Sequence, residues 1–157
     1  MLWLIFHVGL ERFAIPGLRV DKVLPMVALH RAAQLPSGLA GAFSYRGVVT
    51  PVIDLAHWLL GNSTPLRLST RMILIPLAAE SLDQKFCVLA DRVEELRAID
   101  ADNCDSKSLA GWSGSLALGH VIADEHGFLQ VLDLDRLIAE AQRNALLPPV
   151  AERIEET

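Results

Sequence analysis

The chain is poor in cysteine, in clustered positive charge and in long apolar runs. Its 157 residues hold two cysteines, Cys87 and Cys104. Two thiols make no disulfide framework, which fits a reducing compartment. Cys87 lies in the apolar run "KFCVLA" and reads as a buried free thiol. Lys and Arg number 14 against 19 Asp and Glu, giving a net charge of −5. No basic stripe occurs, so the phosphate neutralisation that nucleic acid requires is not provided for. The opening "MLWLIFHVGLER" lacks a basic leader and a small-residue cleavage site. Its apolar stretch falls far short of the ~20 residues of a membrane span. It reads as a buried strand, with no direct membrane insertion.

Motifs of chemistry are missing as well. His7, His30, His57, His120 and His126 are scattered at spacings that suit no metal, so no metal site is expected. There is no G-x-S-x-G, no phosphate-binding loop and no G-x-G-x-x-G, hence no cofactor and no enzyme feature. Asp54 and Asp133 are not read as paired catalytic carboxylates. Each precedes a run of helix formers, where an N-cap is the simpler role.

What the chain does hold is β-branched, strand-length runs broken by Gly, Pro and polar turns. They are Leu2–Val8, Arg12–Ile15, Leu18–Leu24, Gly47–Ile53, Arg71–Leu77, Phe86–Leu89, Arg92–Ile99, His120–Ala123 and Phe128–Leu132. Two segments are helical instead. Asp54–Gly61 ends on a glycine suited to a C-terminal cap. Asp133–Leu147 places Leu134, Leu137, Ile138 and Ala141 on one face. Pro148-Pro149 stops that helix, and 148–157 is expected to be a charged, flexible tail. Asp100–Leu116 is a long polar connection. Its Trp112 would be either an exposed anchor or a lid on the core.

The chain also repeats itself. "RFAIPGLRVDKV" (Arg12–Val23) and "KFCVLADRVEEL" (Lys85–Leu96) both open with a cation and Phe. Both place Arg-Val-acid seven residues after that cation. "LWLI" is matched by "MILI", and "GVVTPVIDL" by "GFLQVLDL". Strand, hairpin, Gly-turn-strand and Asp-capped helix recur in the same order. The chain is thus expected to be two copies of one β unit, about 1–70 and 71–147. A unit of roughly 70 residues buries too little surface alone, so the copies should share an interface. A groove between two packed units is a favoured binding place.

Pro36–Gly61, "PSGLAGAFSYRGVVTPVIDLAHWLLG", carries a resemblance. It is similar to the CheW family of chemotaxis coupling proteins, with signature P-x-x-I-x-G-V-x-N-L-R-G-x-V-V-P-V-x-D-L. Pro36, Leu39, Gly41, Arg46, Gly47, Val49, Pro51, Val52, Asp54 and Leu55 hold that pattern. The two repeated blocks and "GFLQVLDLDRLI" extend the resemblance over about residues 2–140.

The resemblance implies a mainly β fold of two intertwined five-stranded SH3-like barrels, with short helices and a C-terminal helix. It implies a single domain over 1–147 and a non-enzymatic adaptor. Its partners would be the cytoplasmic tip of a methyl-accepting chemoreceptor and the regulatory domain of a CheA-type histidine kinase. Its place would be cytoplasmic, at receptor arrays on the inner face of the membrane.

Carried over by motif, the receptor-groove residues are Val20, Lys22, Val23, Gly41 and Arg46. Val20 and Val23 would offer an apolar wall to an amphipathic helix, or simply pack in the core. Gly41 would allow close backbone approach. Arg46 would either pair with an acidic receptor residue or pin the groove internally. The chain departs from the family at Lys22, where a glutamate is usual, and at Ser44-Tyr45, where Asn-Leu is usual. Such changes at a contact surface alter partner choice and suggest a specialised array. The other class of reading is a standalone SH3-like module for a peptide or small ligand.

Overall fold

A computed structural model describes residues 1–31, 34–78, 81–98 and 118–150. The connection Asp100–Leu116, with Cys104 and Trp112, lies outside the described residues, as does the tail beyond Val150. Among the described residues ten strands and one α-helix follow in chain order. They are β1 (Leu2–Val8), β2 (Glu11–Pro16), β3 (Lys22–Pro25), β4 (Leu39–Tyr45), β5 (Val48–Ile53), β6 (Arg71–Ala78), β7 (Ser81–Ala90), β8 (Arg92–Ala98), β9 (Leu118–Asp124), β10 (Gly127–Leu132) and α1 (Leu134–Arg143).

The strands form two five-stranded sheets, β8-β1-β2-β10-β9 and β3-β6-β7-β5-β4. Numbered within its own half, β6–β10 repeats β1–β5. Each sheet therefore takes the leading hairpin of one repeat and the three later strands of the other. The two sequence repeats are not the two sheets; they are interwoven through both. In each sheet a parallel pair, β10 with β2 or β5 with β7, joins the hairpin of one repeat to the last strand of the other.

Period-two alternation then sorts the side chains into three cores. On β1, Leu4, Phe6 and Val8 face the partner sheet while Ile5 points into its own. On β6, Ile73, Ile75 and Leu77 face the partner sheet, and Met72 and Leu74 turn the other way. Phe86 and Val88 of β7 divide from Cys87 and Leu89 in the same manner. The largest core is the one between the sheets. This explains why Trp3–Phe6 of β1, Met72–Leu77 of β6 and Phe86–Ala90 of β7 read as apolar stretches: both faces are covered.

The helix completes the central core. Asp133 Oδ1 accepts a hydrogen bond from the Arg136 amide at 3.2 Å, as an N-cap does. Leu134, Leu137, Ile138 and Ala141 are the buried face. The expected 133–147 helix is shorter, because Ala145 turns to φ 59° and redirects Leu146 and Leu147 into the core. The segment after Asp54 forms a wide, five-residue helical turn of π type over Ala56–Leu60, closed by Gly61 at φ 78°.

Two strand expectations change. Leu18–Leu24 was too long: Pro16 ends β2, a 3₁₀ turn covers Gly17–Arg19, and only Lys22–Pro25 pairs with β6. β4 is an additional strand. Its sequence "LAGAFSY" is too rich in small residues to announce one, yet it pairs with β5 along its length.

Candidate functional site

Most of the space between the sheets is filled by the central core. A trough of about 550 Å³ stays open at its rim. One wall is the stretch Val20, Asp21, Lys22 and Val23, with Arg71 of β6 behind it. The other is Arg92, Val93, Glu94 and Leu96 of β8, with Leu4 of β1. These walls are the two copies of the repeated Arg-Val-acid element. The trough thus lies where the two repeats face each other.

Three of the five expected residues meet there. Val20 is half-buried and packs against the central core. Val23 stands opposite Ile73 and is 40% exposed. Lys22 begins β3 and is exposed, with no ion-pair partner among the described residues. Leu2, Leu18 and Leu96 are exposed nearby; Leu96 and the Leu2 carbonyl flank Gly17. The rim is therefore greasy on both sides.

Gly41 and Arg46 do not line the trough; they lie on β4 and its turn. A Cβ on Gly41 would sit 2.7 Å from the His30 carbonyl oxygen and 3.0 Å from Leu29 Cβ. The close approach that this glycine allows is by the chain itself. His30 and Ala42 exchange two backbone hydrogen bonds of 2.8 and 3.0 Å there. Arg46 and Gly47, at φ 49° and 83°, are the two central residues of the β4–β5 hairpin, the pattern of a type I′ turn. The Arg46 guanidinium carbon lies 5.4 Å from the Tyr45 ring centre.

Charge in the trough is arranged by partners outside it. Lys85 of β7 reaches Asp21 at 2.7 Å and also lies 5.5 Å from the Tyr45 ring centre. On the other wall Glu94 Oε2 stands 3.6 Å from His7 Nε2 and 4.0 Å from Arg12 Nη2. The Arg12 contact is at ion-pair distance, and Glu94 Oε2 has no hydrogen-bond partner. Arg92 meets His7 Nε2 at 3.1 Å, and Arg71 donates to the Leu68 and Thr70 carbonyls. Among the described residues Lys22 is an exposed cation of the trough with no ion-pair partner.

The wall on β8 was not among the residues expected from the sequence. Its signal was present: Val93 and Glu94 answer Val20 and Asp21 in the repeated block. Elsewhere among the described residues no reactive constellation forms. Asp54 accepts from the Thr64 hydroxyl at 2.6 Å and its amide at 2.9 Å, and from the His57 amide, so its carboxylate is spent on closing a loop. Cys87 is a free, buried thiol whose pKa is pushed up to about 12 by burial. It is too poor in thiolate to act as a nucleophile. Among the described residues no group of His, Cys, Asp and Glu could hold a metal ion, and no helix is long and apolar enough to cross a membrane.

Two swapped five-stranded sheets, a C-terminal helix on their shared core and a trough at the seam define an interaction fold with no reactive centre among these residues. A CheW-like domain family matches residues 2–142, and the chain belongs to that family. Among solved structures it is similar to the scaffolding protein TtCheW from Thermoanaerobacter tengcongensis. The identity is 18%, covering 84% of this chain and 88% of that one, with a TM-score of 0.71. At that identity the likeness speaks for the fold. Comparison with curated proteins gives no match. The chain is a CheW-like scaffolding and coupling protein of chemotaxis signalling, and such proteins are non-enzymatic adaptors that couple chemoreceptors to CheA.

Proposed function

We propose that the trough between Val20–Val23 and Arg92–Leu96 takes the helical tip of a methyl-accepting chemoreceptor, while the same molecule engages the regulatory domain of a CheA-type kinase. The carrying observation is the trough itself, apolar at Val20, Val23, Val93 and Leu96 and topped by Lys22, which has no ion-pair partner among the described residues. An amphipathic helix supplies the matching apolar stripe. Lys22 asks for an acidic residue beside that stripe, where the family's usual glutamate would repel one.

The selected receptor is then one of a specialised array, in the cytoplasm at the inner face of the membrane. Gly41 and Arg46 contribute from the adjoining face, by shaping β4 and its turn. Co-purification with receptor cytoplasmic fragments and the cognate kinase tests the reading. Lys22→Glu should weaken the preferred fragment by about tenfold, the scale of one lost charge pair. It should improve fragments with a basic residue at the facing position. Unchanged selectivity would remove the array assignment, and no binding to any receptor tip would leave the chain a different kind of β module.

A further inference from the structure

The repeated cation-Phe…Arg-Val-acid block is not explained by packing alone. Phe13 and Phe86 fill the central core, and Val20 and Val93 pack against it. That leaves the cations Arg12 and Lys85 and the acids Asp21 and Glu94. The sheets pair them crosswise. Lys85, from the second repeat, binds Asp21 of the first at 2.7 Å. Arg12, from the first repeat, faces Glu94 of the second at 4.0 Å.

We propose that these are reciprocal clasps, each tying the second strand of one repeat to the trough wall contributed by the other. The proposal rests on the trough being the receptor-binding face. Lys85 and Arg12 are positioning residues: they do not line the trough, but the acids they hold do.

The Lys85 clasp has the most to hold. β3 has four residues and, among the described residues, pairs with β6 only. β4 is the far edge of the same sheet. Between them lies an apolar slot of about 490 Å³, lined by Leu24, Phe43, Tyr45 and Met72 among others. Lys85 stands on the face of β7 that carries Cys87 and Leu89 into the sheet's own core. From there its ammonium reaches Asp21 ahead of β3 and the Tyr45 ring on β4, and so spans the slot. Tyr45, one of the departures from the family pattern, supplies the aromatic face for that cation.

The Arg12 clasp is more buried and less tight. Arg12 is 8% exposed, and Glu94 is shared with His7.

The full-length chain is compared with Lys85→Met, Asp21→Asn, the double variant and the exchanged pair Lys85→Asp with Asp21→Lys. Two readouts are taken: hydrogen exchange of the Asp21 amide, which donates to Leu74 O, and of the β3 amides; and affinity for a receptor-tip fragment. Each single variant should speed that exchange and weaken fragment binding by about tenfold, on the scale of a partly buried ion pair. The double variant should be no worse than either single, and the exchanged pair should recover most of the loss. Additive single effects, or unchanged exchange at β3, would overturn the clasp. If Lys85→Met does not fold, the near-isosteric Asp21→Asn decides by the same exchange readout. If wild type binds no receptor fragment, the receptor reading fails while hydrogen exchange still judges the clasp.

Discussion

Replacing Gly41 by alanine separates a structural role from a contact role at a residue that belongs to the family's signature. The added Cβ would lie 2.7 Å from the His30 carbonyl oxygen, closer than such atoms approach. It would also require an L residue to hold φ 151°. The neighbouring strand cannot yield cheaply, because the obstacle is backbone. Relief requires the His30 segment to lift from Ala42, which breaks hydrogen bonds of 2.8 and 3.0 Å. Each such bond is worth about 0.5–1.5 kcal/mol net. With backbone strain of about 1 kcal/mol or more, the substitution should cost about 2–4 kcal/mol. For a chain of this size that lowers Tm by about 5–15 °C. The assay is thermal or urea unfolding, together with receptor-fragment affinity measured well below the transition. The expected result is a clear loss of stability with near-normal binding of the folded protein. Wild-type stability with abolished binding would refute the reasoning and make Gly41 a contact residue.

Two further outcomes follow from the cores. Leu137 is fully buried beneath α1, so Leu137→Ala should cost about 2–5 kcal/mol in urea unfolding; a cost below ~1 kcal/mol would mean that the helix is not seated on the central core. Cys87 should resist thiol reagents at pH 8 in the native protein and react only on unfolding. Its folded pKa, about 12, lies above the ordinary value of 9.0. The unfolded chain therefore gives up the thiol proton first, and the neutral thiol's contribution to stability is full below pH 9 and lost as pH rises from there towards 12. Unfolding under reductant between those limits checks the sign; a Cys87→Ala variant should lose that component of the pH dependence.

The fold was legible in this sequence because its elements keep their periods. β1, β6 and the second half of β7 are apolar stretches of strand length, and Asp133 marks its helix with a side chain that caps it. The duplication was visible in residues that carry packing, such as Phe13 and Phe86. β4 was hidden because its close contacts demand small residues, and small residues carry little strand signal. The site was half legible. Val20, Lys22 and Val23 could be placed by motif, since they are contiguous. Arg92, Val93, Glu94 and Leu96 could not, because only the exchange of strands between repeats brings them opposite. Arg46 shows the converse: its motif is conspicuous, and a hairpin with two positive φ angles accounts for much of that.

The exchange of strands also explains why, among the described residues, the two Arg-Val-acid elements border one shared trough. In two repeats folded side by side, each Arg-Val-acid element would border its own sheet, and two separate half-sites would result. Here β3 lies on β6 and β8 lies on β1, so each element is carried across to the sheet built on the other repeat's hairpin. The same crossing that produces one large central core sets Val20 and Val93 at one rim of it. Core and trough are thus two ends of one interface, and a change in how the sheets pack reaches the trough walls with no flexible linker between. An adaptor that must hold two partners in fixed relation is served by that rigidity, since motion at the seam would otherwise absorb the strain that one partner passes to the other.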